Sequence, residues 1–134
     1  MNPEQRMVRE FHDQYLKDNG DVPRLTSDRA LLFRGRLIAE EAAEFLKAAS
    51  DRDLVEAADA LVDILYVTYG AANVLGIDLQ PLFCEVHRSN MSKLGRLDPA
   101  GKVTKGSEWS PPQIERLLMA QGWKPPADDA AEDS

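Results

Sequence analysis

From Ala60 to Leu75 the chain reads ALVDILYVTYGAANVL. A helix of that sequence is apolar almost all round, so it has to be covered by neighbours rather than laid on a surface. The run falls short of the roughly 20 apolar residues that a membrane span needs. The one charge inside it is Asp63. Aspartate is a poor helix former away from a helix N-terminus. A carboxylate in apolar surroundings is costly to ionise unless a cation meets it. The segment therefore predicts a helical bundle with something positive at Asp63.

The rest of the chain supplies the neighbours. A first helix begins after Asn2 with Pro3 at its first position; Met7, Val8, Phe11 and Tyr15 share a face, and Asn19-Gly20 ends it. A second runs from Asp28 to Ala49, capped by Ser27 or Thr26, and a third from Leu54 to Leu75, stopped by Gly76. Asp78 caps a fourth that extends to Leu94, where Gly95 closes it. Residues 96–109 read as a loop with room for a short extended piece, and Ser110-Pro111-Pro112 opens a short last helix that Gly122 ends. No segment alternates apolar and polar residues for long enough to make a sheet. The predicted fold is all-α, a bundle of four to five helices in one domain over residues 1–122. The third helix offers more apolar surface than three neighbours in a small chain can cover, so a homodimer is expected to complete the bundle.

Charge narrows the function classes. The formal net charge is −7, but the last eight residues, ADDAAEDS, hold four acids and no base. The body is thus only mildly acidic, and residues 123–134 are expected to form a disordered acidic tail. A broad nucleic-acid surface would show as a basic excess, which is missing. The opening MNPEQRMVREF is charged where a signal peptide is apolar, and Cys84 stands alone. Neither export nor membrane insertion is expected; a reducing cytoplasm fits.

The acids are the informative residues. Glu40, Glu41 and Glu44 project within an arc of about 100° on the second helix, and Glu56, Asp59 and Asp63 within about 60° on the third. If the two faces meet in a hairpin, carboxylates about 6 Å apart repel by roughly 3 kcal/mol per pair. A divalent cation removes the conflict. Oxygen-only ligands select hard ions, Mg²⁺ first and Mn²⁺ second. Glutamates at helical spacing also describe an ordinary solvated face, and Asp51, Asp53 and Glu56 also suit a helix N-terminus. Asp63 is the residue that neither account covers. A di-iron bundle needs Glu-x-x-His on two helices, and neither His12 nor His87 follows a glutamate by three.

These acids, followed by LVDILYVTYGAANVLGIDLQPLFCEVHRSNMSKLG and DPAGKVTKGSEWSPP, resemble the MazG-like all-α NTP pyrophosphohydrolases, in the phosphoribosyl-ATP pyrophosphohydrolase-like and dUTPase-like branch. The resemblance covers residues 27–112. It implies a helical dimer, in some members a dimer of dimers, with Mg²⁺ held by a Glu-Glu-x-x-Glu motif at Glu40, Glu41 and Glu44 and by an aspartate at Asp63. One position departs: the glutamate of the family's Glu-x-x-Asp is Ala60 here. Asp59, on the same face as Asp63, is assigned to supply the missing oxygen, ahead of Glu56. The family's nucleotide-side Asn and Lys map to Asn90 and Lys93. In the loop GKVTKG, Lys102 and Lys105 are placed to close over phosphates, with a solvated loop as the plain account.

The implied reaction is hydrolysis of a nucleoside triphosphate to the monophosphate and pyrophosphate. Metal ligands are Glu41, Glu44, Asp59 and Asp63; Glu40 and Glu41 act on the attacking water; Asn90, Lys93 and Lys105 meet the substrate. A (deoxy)nucleoside triphosphate such as dUTP or a non-canonical nucleotide is the expected substrate. The alternatives are phosphoribosyl-ATP and a catalytically silent, ligand-binding helical dimer.

Overall fold

The computed structural model describes residues 1–127. Most of the expected acidic tail lies outside them. The chain divides into two compact units, Met1–Pro81 and Leu82–Ser134.

All the regular elements of the first unit are helices. Helix α1 (Pro3–Phe11) is capped by Asn2, whose side chain accepts from the Gln5 amide at 2.8 Å. It continues into a π-helical turn, His12–Leu16, that Lys17 closes at φ 58°. Helix α2 (Asp28–Ser50) starts at Ser27, which accepts from the Ala30 amide, and α3 (Leu54–Val74) starts at Asp53, which accepts from the Glu56 amide. Both caps satisfy an N–H that the first helical turn leaves unpaired.

α2 and α3 form a long hairpin, and α1 packs on the C-terminal half of α3. Val8, Ala48, Ala60, Ala72 and Val74 are buried in it. A polar network locks the far end. Gln5, fully buried, donates to Asn73 Oδ1 at 3.0 Å and Ile77 O at 2.7 Å, and accepts from the Leu79 amide at 3.1 Å. The connector after α1 crosses that end at Gly76, whose φ of 70° only glycine adopts without strain and where a Cβ would lie 2.4 Å from Val22 O. In the N-terminal half of α3 Ala60 is buried, while Leu61, Val62 and Leu65 are at least half exposed.

Helix α4 (Leu79–Met91) opens at Asp78, which accepts from the Gln80 amide, and carries the chain from the first unit into the second. It ends a turn earlier than expected. Ser92 turns its hydroxyl back on Ser89 O at 2.7 Å and accepts from the Ser110 amide at 3.0 Å, so it serves a side-chain network in place of a further helical turn. The segment expected as a loop holds an antiparallel hairpin, β1 (Leu94–Leu97) with β2 (Val103–Lys105), which carries a bulge. Asp98 builds its turn by accepting from the Ala100 and Lys102 amides. A short helix α5 (Ile114–Ala120) follows, ended by Gly122 at φ 103°. In this unit Glu85 ties α4 to the segment before α5: it pairs with Arg88 at 2.6 Å and accepts from the Gln113 amide. The fold is mostly helical, with five α-helices and one small hairpin among the described residues.

Candidate functional site

The α2–α3 hairpin brings the predicted acids into one electrostatic neighbourhood. Glu41 is half-buried, and its Oε2 is enclosed with no hydrogen-bond partner. Its carboxyl is held above the ordinary carboxylate range, first by desolvation and then by the charges of Asp63, Glu44, Asp59 and Glu40, in that order. Asp63 is half-buried on α3, whereas Glu40, Glu44 and Asp59 are exposed at the rim. The helix pairing explains the arrangement. α2 and α3 run antiparallel, so moving seven residues back along α2 from Glu41 to Arg34 matches seven forward along α3 from Asp63 to Gly70. A Cβ at Gly70 would lie 3.1 Å from Arg34 Nη1. The same seam thus has acids at one level and a buried arginine about two turns further on.

Ala60, where the family's glutamate is expected, is buried in this seam at 2 % exposure. Between its possible substitutes, Asp59 acts on Glu41 and Glu56 does not figure among the charges that do. Glu56 instead lines a neighbouring cleft of about 320 Å³ with Glu44, Lys47, Asp51 and Asp53. Among the described residues no three carboxylate, histidine or cysteine side chains are gathered closely enough to cage an ion by themselves.

The second unit assembles the predicted phosphate residues. Asn90, Lys93, Lys102 and Lys105 line an open cleft of about 570 Å³ with Asp98 and Thr104. Lys93 follows the end of α4 rather than lying in its last turn, and the β1–β2 hairpin carries the other two lysines. The hairpin depends on glycine: a Cβ at Gly95 would fall 1.8 Å from Thr104 O. Lys105 Nζ sits 4.1 Å above the Trp109 ring, a cation–π contact that fixes its position. His87 is exposed on α4.

Sequence reasoning missed two groups. One is the set of buried His12 and Arg34 with the partly exposed Asp18, which reaches His12 Nδ1 and Arg34 Nη2, each at 2.9 Å. Nothing in the local pattern announces it, because it depends on the π-helical turn. The other is Arg29, Phe33 and Arg36, whose four- and three-residue spacing on the helix of the acids was a readable signal.

By its match to a family model over residues 8–90 the protein is of the MazG-like all-α NTP pyrophosphohydrolase class, which its acids on two antiparallel helices fit. Within that class the chain belongs to the phosphoribosyl-ATP pyrophosphohydrolase family, whose model matches residues 8–90. The match supports a pyrophosphohydrolase activity on nucleotides. No curated protein matches the chain. No single helix among the described residues is long and apolar enough to cross a membrane.

Proposed function

We propose that the chain hydrolyses the bond between the α- and β-phosphates of a nucleotide triphosphate, using Mg²⁺ held by Glu41, Glu44 and Asp63 with a further oxygen from Asp59. One observation carries this reading: Glu41 Oε2 is enclosed and unpartnered beside four other carboxylates. An acceptor-only group in that position calls for a cation. The loose grouping of the acids fits Mg²⁺, which keeps several waters and takes one or two carboxylates plus substrate phosphates, not an all-protein cage. Mn²⁺ is the expected substitute.

When bound, the divalent ion neutralises phosphate oxygens and acidifies a bound water. Glu41 and Asp63 fix where the charge sits. Glu40, adjacent in sequence but turned to the exposed side of α2, orients or deprotonates the attacking water. The second unit has a cleft of its own in which Asn90 offers an amide, and Lys93 and Lys105 positive charge, suited to phosphate oxygens.

Phosphoribosyl-ATP is the substrate that the family match favours over the (deoxy)nucleoside triphosphate expected from sequence. A panel of phosphoribosyl-ATP, NTPs and dNTPs with Mg²⁺ or Mn²⁺, read for pyrophosphate and orthophosphate, tests both. Pyrophosphate is the expected product. No pyrophosphate from any of them refutes hydrolysis and leaves a silent helical protein.

The reading includes a homodimer, with a dimer of dimers as its larger form. Its support is the open N-terminal half of α3, where Leu54, Leu61, Val62 and Leu65 are 50–82 % exposed. Apolar surface of that extent on one helix is what a second copy covers.

A further inference from the structure

The chain passes from α4 into β1 through Leu94, whose φ of 47° is left-handed. For a residue other than glycine that conformation brings Cβ too close to the following carbonyl oxygen, and it persists only where the surroundings impose it. Lys17 and Arg52 adopt it too, each just past the end of a helix, where the reversal closes the last turn. Leu94 differs from them. It opens a strand and pairs with Lys105, where backbone is otherwise extended. Burial of its side chain does not account for the strain, because that side chain is 75 % exposed.

The backbone bonds of its neighbour do account for it. The Lys93 N–H donates to Asn90 O at 3.2 Å, and the Gly106 N–H donates to Lys93 O at 2.6 Å. That second approach needs a glycine, since a Cβ at Gly106 would lie 2.6 Å from Lys93 O. Lys93 is thus tied to the last turn of α4 through its N–H and to the residue after β2 through its carbonyl, and the reversal at Leu94 joins the two ties. So fixed, Lys93 is half-buried and lines the cleft with Lys102 and Lys105 of the hairpin. Among the described residues no ion pair holds any of these three ammonium groups. Like charges on flexible stems spread apart unless their backbones are fixed.

We propose that Leu94 is a positioning residue of this cleft: its left-handed backbone holds Lys93 where its charge converges with those of Lys102 and Lys105 on a multiply charged anion. The assignment rests on the reading of this cleft as one that meets phosphate. The backbone of Leu94 carries the role and its side chain does not. A residue that accepts left-handed φ therefore replaces leucine, and a β-branched isomer of the same size does not.

Calorimetric titration of inorganic pyrophosphate into the full chain, at low salt and without metal, tests this. The proteins compared are the wild type, Lys93→Gln, Leu94→Gly, Leu94→Ile and the double variant of Lys93→Gln with Leu94→Ile. Lys93→Gln and Leu94→Ile each weaken binding about tenfold. Leu94→Gly binds within about twofold of the wild type. The double variant binds no more weakly than Lys93→Gln, because Leu94 acts through that lysine alone. Lost affinity in Leu94→Gly, retained affinity in Leu94→Ile, or an additive loss in the double variant overturns the role of Leu94; the additive loss is the signature of a hairpin that has merely come apart. Equal affinity in the wild type and Lys93→Gln overturns instead the phosphate reading of the cleft on which that role rests.

Discussion

Glu41 of α2 and Asp63 of α3 share one seam: burial holds the Glu41 carboxyl above its usual range, and Asp63 is the neighbouring charge that adds most to it. Both residues are half-buried, and the Glu41 oxygen that is enclosed has no partner. The pair is a place where the isolated fold works against itself, and the proposed cation would relieve the conflict.

Stability should therefore depend on pH and on Mg²⁺ together. Because the folded-state affinity of Glu41 for its proton is raised, the native state holds more protons than the unfolded state just above the ordinary carboxylate value. Stability without metal falls as pH rises through that window. A cation competes with the proton, so added Mg²⁺ should raise the melting temperature above the window and lose its effect as pH drops through it. Thermal melts across pH with and without Mg²⁺ check this; a Mg²⁺ effect that is constant with pH contradicts it.

Amide variants separate chemistry from folding. Glu41→Gln and Asp63→Asn should each lower pyrophosphate release about 100-fold or more. Helicity should be unchanged, and the metal-free melting temperature equal to or above that of the wild type. Turnover within a few-fold of normal in either variant would remove that residue from its role.

Asp59 and Glu56 are predicted to differ. Asp59 acts on Glu41, whereas Glu56 sits in the adjoining cleft. Asp59→Asn should raise the Mg²⁺ concentration for half-maximal activity about tenfold, while Glu56→Gln leaves it unchanged. Metal titrations of activity distinguish the two, and the reverse ranking would transfer the role to Glu56.

The Lys93–Lys105 cleft depends on the hairpin that frames it. Gly95→Ala forces a Cβ against Thr104 O, an overpacking that costs typically 1–3 kcal/mol or more. Nucleotide affinity should fall while circular dichroism retains its helical signal. Lys105→Gln should weaken nucleotide binding more at low than at high salt, as an exposed cation does. Unaltered affinity in both variants would show that this cleft does not meet phosphate.

His12 gives a second pH signature, of opposite sign. Burial lowers its proton affinity below the ordinary value of 6.5, against the pull of Asp18 and together with the push of Arg34. The unfolded chain then binds more protons just below pH 6.5, so stability is lost as pH falls through that window. His12→Gln should flatten this acid-side slope in a pH series of thermal melts.

How much of this was legible in the sequence varies by residue. Helix starts were readable at Asn2, Ser27, Asp53 and Asp78 because a cap is a local device, and the structure places a side-chain-to-amide bond at each. The electrostatic meeting of Glu41 with Asp63 was readable because helical spacing and one misplaced aspartate suffice. The end of α4 was not: Ser92 gives up the helix for partners at Ser89 and Ser110, and the latter is 18 residues away. A short extended piece was legible in this loop, but its pairing as the β1–β2 hairpin was not, because the hairpin is short, bulged and hardly alternating, held by Asp98 and glycine rather than by a side-chain pattern. The His12–Asp18–Arg34 set needs tertiary packing against Gly70 to exist at all.

Direct titration of Mn²⁺ into the protein with a non-hydrolysable nucleotide triphosphate present, followed by the loss of its free electron-spin signal, reads the cation itself. The wild type should take up Mn²⁺ that Mg²⁺ displaces, and both Glu41→Gln and Asp63→Asn should lose that uptake. Identical Mn²⁺ uptake by all three proteins would contradict a cation held between α2 and α3.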